Sequence, residues 1–400
     1  MTPYAKKERQ VCGGQPSNLL WDGRIVIDIG YFTTWPAKHG ETEAECFANN
    51  FKDVRRADEM GWDVVWTAST PLAGANPEPF VLSSAIAGMT RQIKIGTAVH
   101  LLHNLKVPGE KYLTDVQAGG QTIVRRGIVA ERRSYSFDQL LPPDPIIIAQ
   151  EVAMVDHISN GRFIYGVGGD TAGDEGRRRH FIEFLEVLKS IWTDEGDFTG
   201  FDGEFYKYPA PPAGMKVSPK PVQKPHPPIL LAVDSQQGFV PMGEMGYRVG
   251  IRGNIDAQRG TKYGKEGDSV LKQDVDKYRQ AWKDAGHAGD PGVAIRIPTH
   301  VAATRREADR FKEALAEERA QRAVAMGRPS PAAGRLDGRS SNSTELFGTP
   351  EEVVDRIHEL HEYFGVDELL CELHLGNSVT RESMEQCMRV ITDKVLPRVK

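Results

Sequence analysis

Residues 145–169 read PIIIAQEVAMVDHISNGRFIYGVGG, and their reading decides the fold. Ile148, Val152, Val155 and Ile158 recur at steps of four, three and three, the spacing that places side chains on one helical face. Gly161 stands where a helix would end on a left-handed residue, and Phe163 to Val167 then form a compact apolar run. Gly168, Gly169 and Asp170 follow at the C-terminal end of that run, where α/β folds hold ligands and where glycine lets backbone come close to one. Any α/β protein contains helix–turn–strand units of this kind, so the segment alone is as compatible with plain scaffold as with a site.

Working outward, the same alternation runs along most of the chain. Short apolar runs rich in β-branched residues occur at Ile25–Tyr31, Asp63–Thr67, Ile93–Val99, Phe163–Val167, Ile229–Val233, Tyr247–Ile251, Val293–Val301 and Asp367–Leu373. Between them lie helix-length amphipathic stretches: Glu43–Met60, Phe80–Met89, Ile146–Ile158, Arg178–Trp192, Phe239–Met245, Val270–Ala285, Arg306–Ala325 and Pro350–Tyr363, with a last one from Arg381 onward. Strand–helix alternation is the pattern of a parallel sheet with crossover helices, and eight such units predict an α/β fold of the TIM (β/α)8 type. The barrel is expected over 24–400 with insertions at its C-terminal mouth, after an N-terminal arm, 1–23.

Three segments interrupt the repeat. Residues 104–144, with Arg125, Arg126, Arg132 and Arg133, are long for a βα loop and read as a lid. Residues 194–228 contain FTGFDGEFYKY, a small hairpin with Asp-Gly turn chemistry, and read mainly as surface decoration. A segment at about 327–345 is poor in large apolar residues and rich in Gly, Ser, Pro and Arg, so it reads as mobile and able to gate a mouth.

Composition limits the functions available. With 26% charged residues, 40% hydrophobic residues and a net charge of −5, the chain has no excess of positive charge for nucleic acid. Cys12, Cys46, Cys371 and Cys387 lie far apart without CxxC spacing, which points to passive thiols in a reducing compartment. The first twenty residues have no apolar core of signal-peptide length, and no stretch has the length and apolarity of a membrane span. A cytoplasmic location is the expectation. No HExxH motif or carboxylate cluster indicates a metal, and no GxGxxG follows a strand.

Several motifs, in order and at the right separations, resemble the bacterial luciferase-like family of flavin-dependent monooxygenases. They are GWDVVWTAS (Gly61–Ser69), AIAGMTRQIKIGTAV (Ala85–Val99), AQEVAMVDHISNGRFIYGVGG (Ala149–Gly169), PPILLAVDS (Pro227–Ser235), and GTPEEVVDRIHELHEYFGVDELL with a terminal VLP. The 104–144 segment departs from the family, which enters the next helix soon after a GTAV-type strand. Asp170–Arg177 is short in compensation.

The resemblance implies reduced FMN, or in one branch a deazaflavin, at the C-terminal mouth. It implies a cis peptide at Ala98–Val99 beneath the flavin ring, and a phosphate site where Asp234, Ser235 and Gly238 turn into a helix, since N–H groups at a helix start favour an anion. Gly168 and Gly169 fall where luciferase carries a cysteine and an arginine, so part of the phosphate charge must be met elsewhere, with Arg177, Arg178 or the arginines of the 104–144 segment as candidates. His100 and His103, just past the GTAV strand, are the acid/base candidates, because histidine titrates near neutrality. Each is equally well read as a structural histidine. Tyr31 and Trp66 end strands at the mouth and are candidates to wall the flavin and substrate, or else to fill the barrel. His157, Glu151 and Asp156 read as structural.

Luciferase's active-site histidine has no counterpart, since Ser69 and Thr70 occupy that region. The activity implied is a two-component monooxygenase that takes reduced FMN from a separate reductase and uses O2, through a flavin hydroperoxide, to oxygenate a small organic substrate. The alternatives are a deazaflavin-dependent hydride-transfer oxidoreductase and a non-catalytic flavin-binding subunit. Family members commonly pair through barrel helices, so a homodimer is expected.

Overall fold

The computed structural model describes residues 26–35, 40–68, 78–102, 117–118, 121–122, 144–169, 175–193, 198–233, 236–252, 270–325, 345–375 and 379–400. Eight parallel strands close on themselves: β1 Asp28–Thr33, β2 Val64–Thr67, β3 Lys94–Thr97, then β7 Phe163–Gly169, β10 Ile229–Ala232, β11 Arg248–Arg252, β12 Val293–Val301 and β14 Val366–Glu372. Pairing of β10 with β7 and of β14 with β1 completes the ring. All eight runs picked from the sequence are its staves.

The intervening short strands are β4 His100–Leu102, β5 Gln117–Ala118, β6 Gln121–Thr122, β8 Phe201–Asp202, β9 Lys207–Tyr208 and β13 Leu346–Gly348. The helices α1 Glu43–Glu59, α2 Pro79–Met89, α3 Pro145–Ile158, α4 Glu175–Thr193 and α5 Gln236–Glu244 follow the first five barrel strands. Helices at Val270–Asp284, Arg305–Ala325, Pro350–Phe364 and Arg381–Val390 complete the outer layer.

Local chemistry explains the boundaries. Asp144 caps α3 by accepting from the Ile146 and Ile147 N–H groups, and Pro145 takes the first helical position, where no N–H is needed. The helix stops over Asn160 (φ 55°) and Gly161 (φ 74°), both left-handed. Ile148, Val152 and Val155 are buried as the periodicity predicts, but Ile158 is exposed: Ala149, Ala153 and Asp156 complete the inner face instead. Asp156 accepts from the Gln223 backbone N–H (2.9 Å) and side chain (2.7 Å), and His157 bonds the Lys220 carbonyl. Both are structural residues that tie residues 218–223 to the barrel.

The FTGFDGEFYKY stretch is the hairpin β8–β9, pairing Phe201 with Tyr208 and Asp202 with Lys207. The Glu183 carboxylate, on α4, accepts from the N–H groups of Glu204, Phe205 and Tyr206 at its tip. This places the segment on the helical exterior, where a decoration belongs. Most of 104–144 and of 327–345, and the whole 1–23 arm, lie outside the described residues.

Candidate active site

Strand alternation sorts the sheet's side chains into two layers. Phe32, Val64, Trp66, Ala68, Ile164, Leu230, Ala294 and Leu370 form one cluster, with Ala98 packed against it. This is the barrel interior. Trp66 fills its centre, and the space it needs comes from glycines on three strands: a Cβ at Gly96 would lie 2.2 Å from the indole, one at Gly30 2.8 Å, and one at Gly166 3.4 Å. Trp66 Nε1 donates to Glu368 Oε1 (2.7 Å), whose other oxygen accepts from Arg248 (2.5 Å), while Arg248 also binds Asp367 (2.5 Å). Burial raises the Glu368 carboxyl against the pull of Arg248. Burial disfavours the Arg248 charge as well, but Asp367 and Glu368 outweigh it and hold the guanidinium firmly protonated.

Above this floor the mouth has two unlike halves. On one half, β3 leaves the ladder after Thr97. The Thr97 hydroxyl donates to the Gly166 carbonyl (2.6 Å) and accepts from the Gly166 N–H (2.9 Å), replacing ladder bonds at the departure point. The backbones approach so closely there that a Cβ on Gly166 would lie 1.6 Å from the Thr97 carbonyl oxygen. The Ala98–Val99 peptide is cis, and the chain resumes as β4 alongside β7, with His100 opposite Val167 and Leu101 opposite Gly168. The third strand therefore ends two residues earlier than its apolar run suggests.

Ala68, Ala98, Gly168 and Ala232 succeed one another on the inner face of four neighbouring strands. A Cβ on Gly168 would lie 3.0 Å from Val99 Cγ2 and 3.2 Å from the Ala232 Cβ. Three inter-strand spacings make this shelf about 14 Å wide. The four shelf positions carry nothing larger than a methyl group, with the Val99 side chain packed beside Gly168, so the shelf suits a flat tricyclic ring of flavin type.

The other half is built from large and charged side chains. Arg252 and Arg296 are register partners on β11 and β12, and Glu372 on β14 is the register partner of Phe32 on β1. Arg296 donates to Glu372 Oε1 (2.8 Å) and lies over the Phe32 ring, 4.2 Å from its centroid. The Arg296 side chain is 34% exposed and Glu372 21%, so this pair stands at the rim of the interior rather than in it.

The candidate residues distribute unevenly over this frame. Ala98, Val99 and Gly168 come together on the shelf, with Gly169 next to it at the end of β7. Gly238 lies in the first turn of α5, half-buried. Asp234, Ser235 and His103 lie outside the described residues.

His100 faces away from the mouth: Nδ1 is 3.1 Å from the Tyr165 hydroxyl, and Phe80 meets the ring edge-to-face at 4.9 Å. This surrounding is that of a packed structural histidine. Tyr31 also points outward, bonding His374 Nε2 (2.7 Å) in the layer between sheet and helices, and its neighbour Phe32 occupies the inner face. Trp66 points inward but is wholly covered, a barrel filler rather than a wall of an open slot. Sequence reading missed Thr97, Gly166, Arg252, Arg296 and Glu372. The only signal for the last three is their alternation parity near strand ends.

His300, at the end of β12, stacks on Phe311 (3.6 Å between ring centroids), and burial pushes its pKa down to about 4. Among the described residues, no group of three His, Cys, Asp or Glu could hold a metal ion, and no helix is long and apolar enough to cross a membrane.

The luciferase-like monooxygenase family matches residues 27–107 and 139–368, and the break between them falls inside the 104–144 segment. An uncharacterized Mycobacterium tuberculosis protein is 40% identical over 106 residues, which are 24% of this chain and 35% of that protein. The chain thus spans about a third of the length of the first curated relatives it matches. The FMNH2-dependent dimethylsulfone monooxygenase of Pseudomonas putida is 26% identical over 294 residues, 65% of this chain and 74% of that protein. In structure, the chain resembles the oxygenating constituent of 3,6-diketocamphane monooxygenase from Pseudomonas putida, solved in complex with FMN. The TM-score is 0.65 at 18% identity, over 94% of this chain and 99% of that one. With the family match covering most of its length, the chain belongs to the luciferase-like monooxygenases.

Proposed function

We propose that the chain is the oxygenase component of a two-component system, receiving reduced FMN from a separate reductase and using O2 to oxygenate a small organic substrate. The observation that carries this reading is the shelf of Ala68, Ala98, Gly168 and Ala232 at the mouth of a luciferase-like barrel. Reduced flavin, when bound, supplies the activation of oxygen. The residues of this chain bind and orient it: the shelf accepts the ring, Thr97 and Gly166 fix the backbone under the shelf, and Leu101 and Val99 add apolar walls that keep water out. The phosphate falls to Asp234, Ser235 and Gly238 at the start of α5, so Ser235→Ala is expected to weaken FMN binding by about 1 kcal/mol. With the His100 ring committed to Tyr165 and Phe80, proton handling falls to His103.

Self-association is assigned to the outer faces of α2 and α3, where Val81, Ile147, Met154 and Ile158 are exposed. Sedimentation of a Met154→Asp, Ile158→Asp variant should show a shift from dimer to monomer, and an unchanged dimer would move the contact elsewhere.

The activity is tested by mixing anaerobic protein with reduced FMN or a reduced deazaflavin and then admitting O2. Preferential binding of reduced FMN, with its reoxidation slowed relative to free FMN, supports the oxygenase. Binding of the deazaflavin alone, with no dependence on oxygen, overturns it in favour of hydride transfer.

A further inference from the structure

The charged half of the mouth has a feature the flavin shelf does not explain. Arg296 on β12 and Glu372 on β14 are joined by a single hydrogen bond, Nη2 to Oε1 at 2.8 Å, rather than by the two-bond fork that arginine and carboxylate commonly make. Among the described residues, Glu372 Oε2 and the other guanidinium N–H groups of Arg296 have no further hydrogen bond. Both side chains still reach solvent, and the Phe32 ring under the guanidinium, 4.2 Å away, fixes its plane. The pair thus holds a row of N–H donors and one acceptor oxygen side by side in a set geometry. Arg252, the register neighbour of Arg296 on β11, has an interaction of its own, so this edge is assigned to Arg296 and Glu372 alone.

Such an edge selects by charge as well as by hydrogen bonding. A carboxylate drawn to Arg296 meets the like charge of Glu372, and an ammonium drawn to Glu372 meets the guanidinium; away from bulk water either repulsion is weakly screened. A neutral group with an acceptor next to a donor meets both side chains without repulsion. The amide of a primary carboxamide or a lactam is such a group: its carbonyl accepts from Arg296, and its N–H donates to Glu372 Oε2.

The position of the pair separates it from the flavin shelf. Around the ring, β12 is the fourth strand from β3 in either direction, so Arg296 stands across the barrel from Ala98. A ring seated on the shelf leaves the pair facing the remaining space of the mouth, where a substrate must lie to meet it. We propose that Arg296 and Glu372 together bind the head group of the substrate, and that the substrate class is a small neutral amide, a primary carboxamide or a lactam. This deepens the oxygenase reading and rests on it for the word substrate, although the amide site itself stands on the ion pair.

The test uses the full-length protein and four probes, titrated calorimetrically with and without FMN: benzamide, acetamide, benzoate and N,N-dimethylbenzamide, which keeps the carbonyl and lacks the N–H. FMN and riboflavin are titrated separately. Benzamide is expected to bind at least tenfold more tightly than benzoate or the dimethyl compound, because a site built around a donor and an acceptor rejects an analogue that leaves one of them unmet. Arg296→Gln should remove at least tenfold of benzamide affinity. Glu372→Gln, which unbalances the pair, should shift the ratio of benzamide to benzoate affinity at least tenfold toward benzoate. FMN and riboflavin should stay within threefold of wild type in both variants. Thermal melts confirm that each variant is folded, and Glu372→Gln carries the test should Arg296→Gln not fold.

Tighter or equal binding of benzoate by wild type overturns the proposal, and so does binding of the dimethyl compound as tight as that of benzamide. Failure of both benzamide and acetamide to bind does the same, as does a benzamide preference that survives both substitutions. A tenfold loss of FMN affinity in both variants would assign the pair to the flavin and also overturn it. If FMN fails to bind wild-type protein while the preference for benzamide persists and depends on the pair, the oxygenase reading falls and the amide site stands.

Discussion

Four neighbouring strands of this barrel, β2, β3, β7 and β10, present Ala68, Ala98, Gly168 and Ala232 at the mouth. The other four, β11, β12, β14 and β1, present Arg252, Arg296, Glu372 and Phe32. The same backbone geometry thus yields a smooth shelf on one side and a rigid, charged wall on the other. The difference shows that the barrel staves do not act as equivalents. Removing side chains makes room for a flat ligand, and fixing a cation over an aromatic face makes an orienting group. Both halves rest on one buried layer, where Trp66, Glu368 and Arg248 link the floor of the shelf to the floor of the wall.

That shared layer gives the most severe way to break the comparison. Arg248→Met leaves Asp367 and Glu368 without their cation in the interior, and removing one partner of a buried pair costs about 3–5 kcal/mol. Denaturant titration should show the loss, and a variant as stable as wild type would mean that the layer is not a structural link. On the shelf side alone, Gly166→Ala drives a methyl group into the Thr97 carbonyl, and overpacking against backbone costs about 3 kcal/mol. A melt unchanged within about 1 °C would show that the strands can part there and that the close approach is not needed.

On the wall side, a smaller and pH-dependent effect is expected. The His300 pKa falls from about 6.5 unfolded to about 4 folded, so burial favours the neutral ring. Its contribution to stability is complete above pH 6.5 and is lost as pH falls through that window. Between pH 6.5 and 5 the loss amounts to about 2 kcal/mol, at about 1.4 kcal/mol per pH unit of difference. His300→Phe keeps the stack on Phe311 and should flatten this acid limb. A variant whose acid limb matches that of wild type would show that His300 is not its source.

The two halves were also unequally legible. Every barrel strand was recognisable as an apolar run, because strands covered by helices on one side and packed interior on the other are apolar throughout. The same property hid their parity: in DIGYFT nothing distinguishes Tyr31 from Phe32, and the structure turns Phe32 inward and Tyr31 toward His374. The glycines of the shelf stood out as composition, yet the one with the least room is Gly166, whose need comes from a strand 69 residues away. The arginines of the wall were invisible for a related reason. A single arginine near a strand end reads as solvated surface until the register places a second one beside it and an aromatic ring beneath it.

The claim that the halves divide the work is tested most directly by FMN titration of wild type, Ala232→Phe and Arg296→Gln. Ala232 is exposed at the mouth, so a larger side chain there fills the shelf without entering the packed interior. The division predicts that Ala232→Phe weakens FMN binding at least tenfold while Arg296→Gln leaves it within threefold. Unchanged binding in Ala232→Phe, or a tenfold loss in Arg296→Gln, would contradict it.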